Sequence, residues 1–143
     1  MLIFIFCFIG CGTQEQKEIK RLVKELQHES TEIRSKAEET LVKIGKDTVP
    51  TLIQALQDKG VSFQVEETLV KIGKEAVPTL IPALQNRNQL VRRRTARALS
   101  RIGKDAVPAL IQLLQDKDRN IRRDATWALG RIRERSEDAV PAL

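Results

Sequence analysis

The sequence predicts an all-α fold, an α-α superhelix (solenoid) of about four helical hairpins with an incomplete C-terminal repeat. The first observation is repetition. Ile102-Gly103-Lys104-Asp105-Ala106-Val107-Pro108 has near-copies at residues 44–50 and 72–78, and a distorted copy in Ile132 followed by Asp138-Ala139-Val140-Pro141. The prolines at 50, 78, 108 and 141 are spaced by 28, 30 and 33 residues, a period typical of repeat architectures. The second observation is periodicity: before each copy, apolar residues recur at offsets 0, +4, +8 and +11, as in Ile121, Ala125, Leu129 and Ile132, which is one buried stripe on a helix. The third is composition. With aromatic residues at 3% and no Tyr, packing falls to Leu, Ile, Val and Ala, which suits close helix-on-helix contact and offers little for a ligand pocket. A repeat array needs no central core, because each unit buries its apolar face on its neighbours.

Taken in order, residues 1–11 form an apolar leader, residues 12–16 a short polar linker, and residues 17–143 the repeats. The run Met1 to Ile9 is too short for a spanning helix, which needs about 20 residues, and fits the apolar centre of a secretory signal. Phe8-Ile9-Gly10-Cys11 resembles the lipobox of bacterial lipoproteins. That resemblance implies lipidation at Cys11 and an exported bacterial protein, membrane-anchored by its lipid on the periplasmic or cell-surface side. An ordinary cleaved signal and a buried apolar N-terminus are the alternatives. Cys7 and Cys11 are the two cysteines, so the repeats have no thiol chemistry.

The units run over about 17–45, 46–73, 74–103 and 104–135, with a partial unit at 136–143. In each, a helix B is expected at residues 33–44, 61–72, 91–102 and 121–132, with Ser30, Asp58, Asn88 and Asp118 as N-caps. Gly45, Gly73 and Gly103 end these helices in the left-handed conformation. Asp47, Glu75 or Asp105 and the following proline open the next helix A. Pro82 lies past the first turn of its helix A and predicts a kink. Unit 2 is two residues short between Leu56 and Asp58, which tightens its turn and leaves a space for Phe63 to fill. Arg133 stands where a glycine is expected, so helix B of unit 4 runs to about Arg135, with Ser136-Glu137-Asp138 opening another helix. The chain stops within that helix, which predicts a fragment of a longer reading frame or an end covered by a partner.

The succession Asp-Ala-Val-Pro-Ala-Leu, Leu-Leu-x-Asp-x-Asp, Ile-Arg-Arg-x-Ala and Ala-Leu-Gly-x-Ile in residues 105–132 resembles the short HEAT-like repeats of phycobilisome lyases and many scaffolds. The resemblance implies a fold and no catalytic residue. His28, the only histidine, precedes Glu29, and deoxyhypusine hydroxylases, built from similar repeats, hold iron with several such pairs. A single pair cannot make that site. No catalytic, cofactor-binding or metal-binding residues are assigned, and no enzyme activity is expected.

Binding is better supported. Residues 1–72 carry 10 Lys/Arg and 11 Asp/Glu, while residues 73–143 carry 15 and 8, so the formal charge of +6 belongs to the second half. Read down the B helices, one column runs Glu39, Glu67, Arg97, Trp127 and another Ser35, Phe63, Arg93, Arg123. A third, Arg34, Ser62, Arg92, Arg122, also admits bridges to acids of a neighbouring turn, and a fourth, Lys43, Lys71, Arg101, Arg131, suits a helix C-terminus. Arg92, Arg93, Arg97, Arg122, Arg123 and Trp127 are the candidates for binding an acidic protein partner of unknown identity. Trp127 reads equally as a partner anchor or as packing for a further unit. The expected function is a non-catalytic protein-protein interaction scaffold. A bilin lyase-like accessory protein and a nucleic-acid-binding module are the alternatives, the export signal standing against nucleic acid.

Overall fold

The computed structural model describes residues 2–60 and 62–138, with the side chains of residues 14–60 and 63–137. The described residues form eight α-helices and no strand: α1 Leu2–Glu25, α2 Thr31–Ile44, α3 Val49–Ala55, α4 Ser62–Ile72, α5 Val77–Ala83, α6 Gln89–Ile102, α7 Val107–Leu113 and α8 Arg119–Asp138. They pair as four hairpins, with α1, α3, α5 and α7 as the A helices and α2, α4, α6 and α8 as the B helices. Successive B helices pack on one another, α2 on α4, α4 on α6 and α6 on α8, while α1 packs on α3 and α3 on α5. The result is the predicted two-layered array.

Its core follows the apolar stripe. Ala37, Leu41, Val65, Leu69, Val91, Leu99, Ala125 and Ile132 of the B helices are buried against Leu22, Leu26, Leu52, Leu56, Leu80, Leu84 and Leu110 of the A layer. Gly45, Gly73 and Gly103 have φ of 76°, 72° and 86°. At Gly45 and Gly103 ψ is −135°, well away from a left-handed helix, because the chain turns sharply into a 3₁₀ turn before each A helix. Those turns, at Gly45–Thr48, Gly73–Ala76 and Lys104–Ala106, hold the acid of each copy. The proline then falls in the first turn of the α-helix proper.

Four local expectations are corrected. Asn88 and Asp118 cap their helices through Leu90 N and Asn120 N at 2.9 and 2.7 Å, but Ser30 makes no side-chain cap bond. Asp58 instead accepts from Gly60 N at 2.8 Å, as His28, Asn86 and Asp116 accept from the amide two residues on. The deletion in unit 2 moves Asp58 to that earlier turn position. Pro82 causes no mid-helix kink, since α5 ends at Ala83 and leaves no helix beyond it to deflect. Phe63 is 67% exposed and fills no space.

At the C-terminal end α8 runs unbroken through Ser136 and Glu137. With no glycine at 133, Ser136 Oγ donates to the Ile132 carbonyl at 2.9 Å and Arg133 pairs with Glu137 at 3.4 Å, both within the helix. The partial fifth unit lies largely outside the described residues, as does the side chain of Cys11. Backbone helix α1 continues through residues 12–16, read above as a linker. Among the described residues no helix is long and apolar enough to cross a membrane.

Candidate interaction surface

Each hairpin turn exposes backbone carbonyls at the end of helix A, and in units 1, 3 and 4 an arginine one turn into helix B closes it. Arg34 donates to the carbonyls of His28 and Glu29 at 2.7 and 2.8 Å. Arg92 donates to those of Asn86 and Arg87 at 2.8 and 3.1 Å, and Arg122 to those of Asp116 and Lys117 at 2.7 and 2.9 Å. These residues thus bond backbone of their own turn, and Arg92 also pairs with an acid of the next unit, Asp124, with Nε to Oδ2 at 3.8 Å. Arg92 and Arg122, both half-buried, spend donors on structure. His28 is likewise occupied, its Nδ1 accepting from Ser30 N at 3.0 Å.

The other four candidates converge. Arg93 and Arg97 from α6, with Arg123 and Trp127 from α8, line one groove of about 300 Å³ whose remaining wall is Asp124. Trp127 is 46% exposed, and the side chains of Arg97 and Arg123 are 62% and 56% exposed. Asp124 is buried. Its Oδ1 lies 3.3 Å from the Arg123 guanidinium, and its Oδ2 faces Arg92 Nε at 3.8 Å. One buried carboxylate therefore stands between a turn-closing arginine and a groove arginine, and orients the latter.

A second groove of about 480 Å³ continues toward the helix C-termini, sharing Arg97 and Trp127 and adding Ser100, Arg101, Arg131 and Arg135. Sequence columns assign Arg101 and Arg131 to the helix dipole and give no sign that they border an opening. The four-residue spacing from Arg97 to Arg101 and from Trp127 to Arg131 and Arg135 is the signal that could have found it.

Beneath Arg97 lies Glu66, buried on α4, with its Oε1 3.6 Å from Arg97 NH1. Burial pushes its carboxyl above the ordinary value, against the pull of Arg97, Arg94 and Arg101. Among the described residues no group of three or more His, Cys, Asp or Glu side chains is placed to hold a metal. The geometry offers cations and an indole to an anionic, partly apolar ligand.

Residues 77–143 match the family described as HEAT repeats. None of the curated proteins compared matches the chain. Among solved structures, human deoxyhypusine hydroxylase in complex with glycerol is similar at 26% identity and a TM-score of 0.46, over 81% of this chain and 43% of that one. An engineered protein is similar at 23% identity and a TM-score of 0.35, over 81% of this chain and 62% of its own. A second is similar at 24% and 0.36, over 80% and 37%. The chain spans less than two-thirds of the length of each. Residues 77–143 thus resemble HEAT repeats, and the described residues stack as helical hairpins in the all-α arrangement of a repeat solenoid.

Proposed function

We propose that the chain is a non-catalytic interaction scaffold that binds an acidic protein surface through α6 and α8 of units 3 and 4, and that it is exported and lipid-anchored at Cys11. The observation that carries the binding reading is the convergence of Arg93, Arg97, Arg123 and Trp127 on one groove. Tryptophan and arginine are the side chains that most often dominate protein interfaces, and a cationic groove favours a partner of opposite charge. Support for the anchor is the apolar run ending in Phe8-Ile9-Gly10-Cys11.

The binding reading is tested with peptides of graded acidity displayed at equal density. Retention of the chain rises with peptide acidity, and the triple variant Arg93→Glu, Arg97→Glu, Arg123→Glu loses it while keeping the far-UV helix signal. Equal retention by the variant removes this surface. The anchor is tested by expression in a bacterium with a labelled fatty acid: label is incorporated by the chain and not by Cys11→Ser. An unlabelled, water-soluble product that retains Met1 rejects the anchor without touching the binding reading.

A further inference from the structure

The B-helix layer carries an ion pair that recurs at two steps and fails at the third. Lys71 of α4 reaches Glu38 of α2 with Nζ to Oε2 at 2.6 Å, and Arg101 of α6 reaches Glu67 of α4 at 2.6 Å. In both, a cation in the last turn of one B helix meets an acid in the middle of the preceding one. Arg131 of α8 occupies the same repeat position as Lys71 and Arg101, but the positions of the two acids are Ala96 and Arg97 on α6. Arg131 turns to Glu134 on its own helix at 2.9 Å, where the side chains are 54% and 55% exposed. Such an exposed pair adds at most about 1 kcal/mol and holds Arg131 weakly. Arg135, farther along the same face, makes no ion pair with the described residues. The step at which the array lacks its own acid is the step at which the second groove opens.

We infer that this second groove is a carboxylate-binding site, and that its occupant is an acidic segment of the partner protein whose side chains supply the acid missing from α6. The inference rests on the acidic-partner reading and adds to it a second arm. Arg93, Arg97 and Arg101 recur every four residues on α6, and Arg123, Trp127, Arg131 and Arg135 do so on α8, a rise of about 6 Å per interval. The two rows flank one trough, with the first groove before the Arg97–Trp127 pair and the second after it. A segment lying along it meets cations on both sides of the indole. The matching partner carries an apolar side chain for Trp127 with carboxylates before and after it, and arginine is suited to hold such carboxylates in two-pronged fashion.

The test uses the full chain and a fluorescein-labelled peptide of about eleven residues, enough for a helix about 16 Å long, with a central leucine and glutamates on both sides. Two shorter peptides keep the leucine with glutamates on one side only. By fluorescence anisotropy, the two-sided peptide binds about tenfold or more tightly than either one-sided peptide, and Arg131→Glu with Arg135→Glu brings it down to their level. Arg131→Lys with Arg135→Lys retains part of the advantage, and a far-UV spectrum confirms that each variant is folded. If the reversal leaves the two-sided peptide unaffected while Arg93→Glu with Arg123→Glu abolishes its binding, the second site is rejected and the acidic-partner reading stands. If neither pair of reversals changes binding, or no acidic peptide binds, both fall. Tighter binding of a labelled single-stranded DNA of equal charge overturns the carboxylate assignment in favour of phosphate.

Discussion

Arg94 of α6 donates a hydrogen bond to the backbone carbonyl of Asp58, in the turn of the preceding unit, at 3.1 Å, and also bonds the Leu56 carbonyl there. Units 1, 3 and 4 close this turn with their own Arg34, Arg92 and Arg122. Unit 2 has Ser62 at that position, and a guanidinium from the next unit replaces the missing one. Arg94 thereby ties two repeats together through that turn. Arg94→Ala is expected to cost about 1.5–3 kcal/mol in urea unfolding, the range for hydrogen bonds that involve a charged group. Its exposed neighbour Arg93→Ala shifts stability by only about 0.5 kcal/mol or less. Equal effects of the two substitutions would deny Arg94 this role.

Glycine-to-alanine substitution is expected to have opposite signs at two positions of unit 4 and its boundary. Gly103 has φ of 86° with nothing within 4 Å of an added Cβ, so the cost is purely conformational, about 1–3 kcal/mol. Gly130 lies within α8, without positive φ, and an added Cβ there also meets open space. Alanine there removes backbone freedom from the unfolded chain and stabilises by up to about 1 kcal/mol. Thermal unfolding of the two single variants checks both signs.

Glu66 links stability to pH. Burial raises its carboxyl above the ordinary 4.5, despite Arg97, Arg94 and Arg101. Between the unfolded and folded values the native state binds more protons, so stability falls as pH rises. The contribution of the neutral carboxyl is fully present below about pH 4.5 and is lost as pH climbs through the raised folded value. Glu66→Gln, which holds the site neutral, therefore unfolds at a higher temperature than the parent near pH 7.5, and the advantage closes near pH 4. A constant difference across that range would show that the charge of Glu66 is not the cause.

The period, the helix order and the outward columns are local properties, and the sequence displays them directly: the stripe through Val91, Leu99, Ala125 and Ile132 is buried as its spacing demands. Arg93, Arg97, Arg123 and Trp127 stand on one face because four-residue steps repeat on two neighbouring helices. What depends on the stagger between units is not local. The column Lys43, Lys71, Arg101, Arg131 looks uniform in sequence, yet Lys71 and Arg101 pair across helices and Arg131 does not. Nor does alignment reveal that a two-residue deletion moves Asp58 from a cap to an earlier turn position, because only the folded path assigns its partner.

Two buried threonines separate satisfied from unsatisfied hydroxyls within one core. Thr68 of α4 donates to the Gln64 carbonyl at 2.8 Å, a bond that its own helix turn provides. Thr95 of α6 is as deeply buried, in the stripe held by Ala37, Val65 and Ala125 elsewhere, but its Oγ1 meets no hydrogen-bond partner. A hydroxyl buried without a partner costs about 1–3 kcal/mol by protein mutational data, whereas a satisfied one contributes about 1 kcal/mol. Valine matches threonine in shape and in its branching at Cβ, so the exchange removes the hydroxyl with little change in packing. Thr95→Val is expected to stabilise by about 1 kcal/mol, and Thr68→Val to be neutral or to cost up to about 1 kcal/mol. Denaturant unfolding of the pair decides the matter: a loss at Thr95 as large as that at Thr68 would mean that its buried hydroxyl has a partner after all.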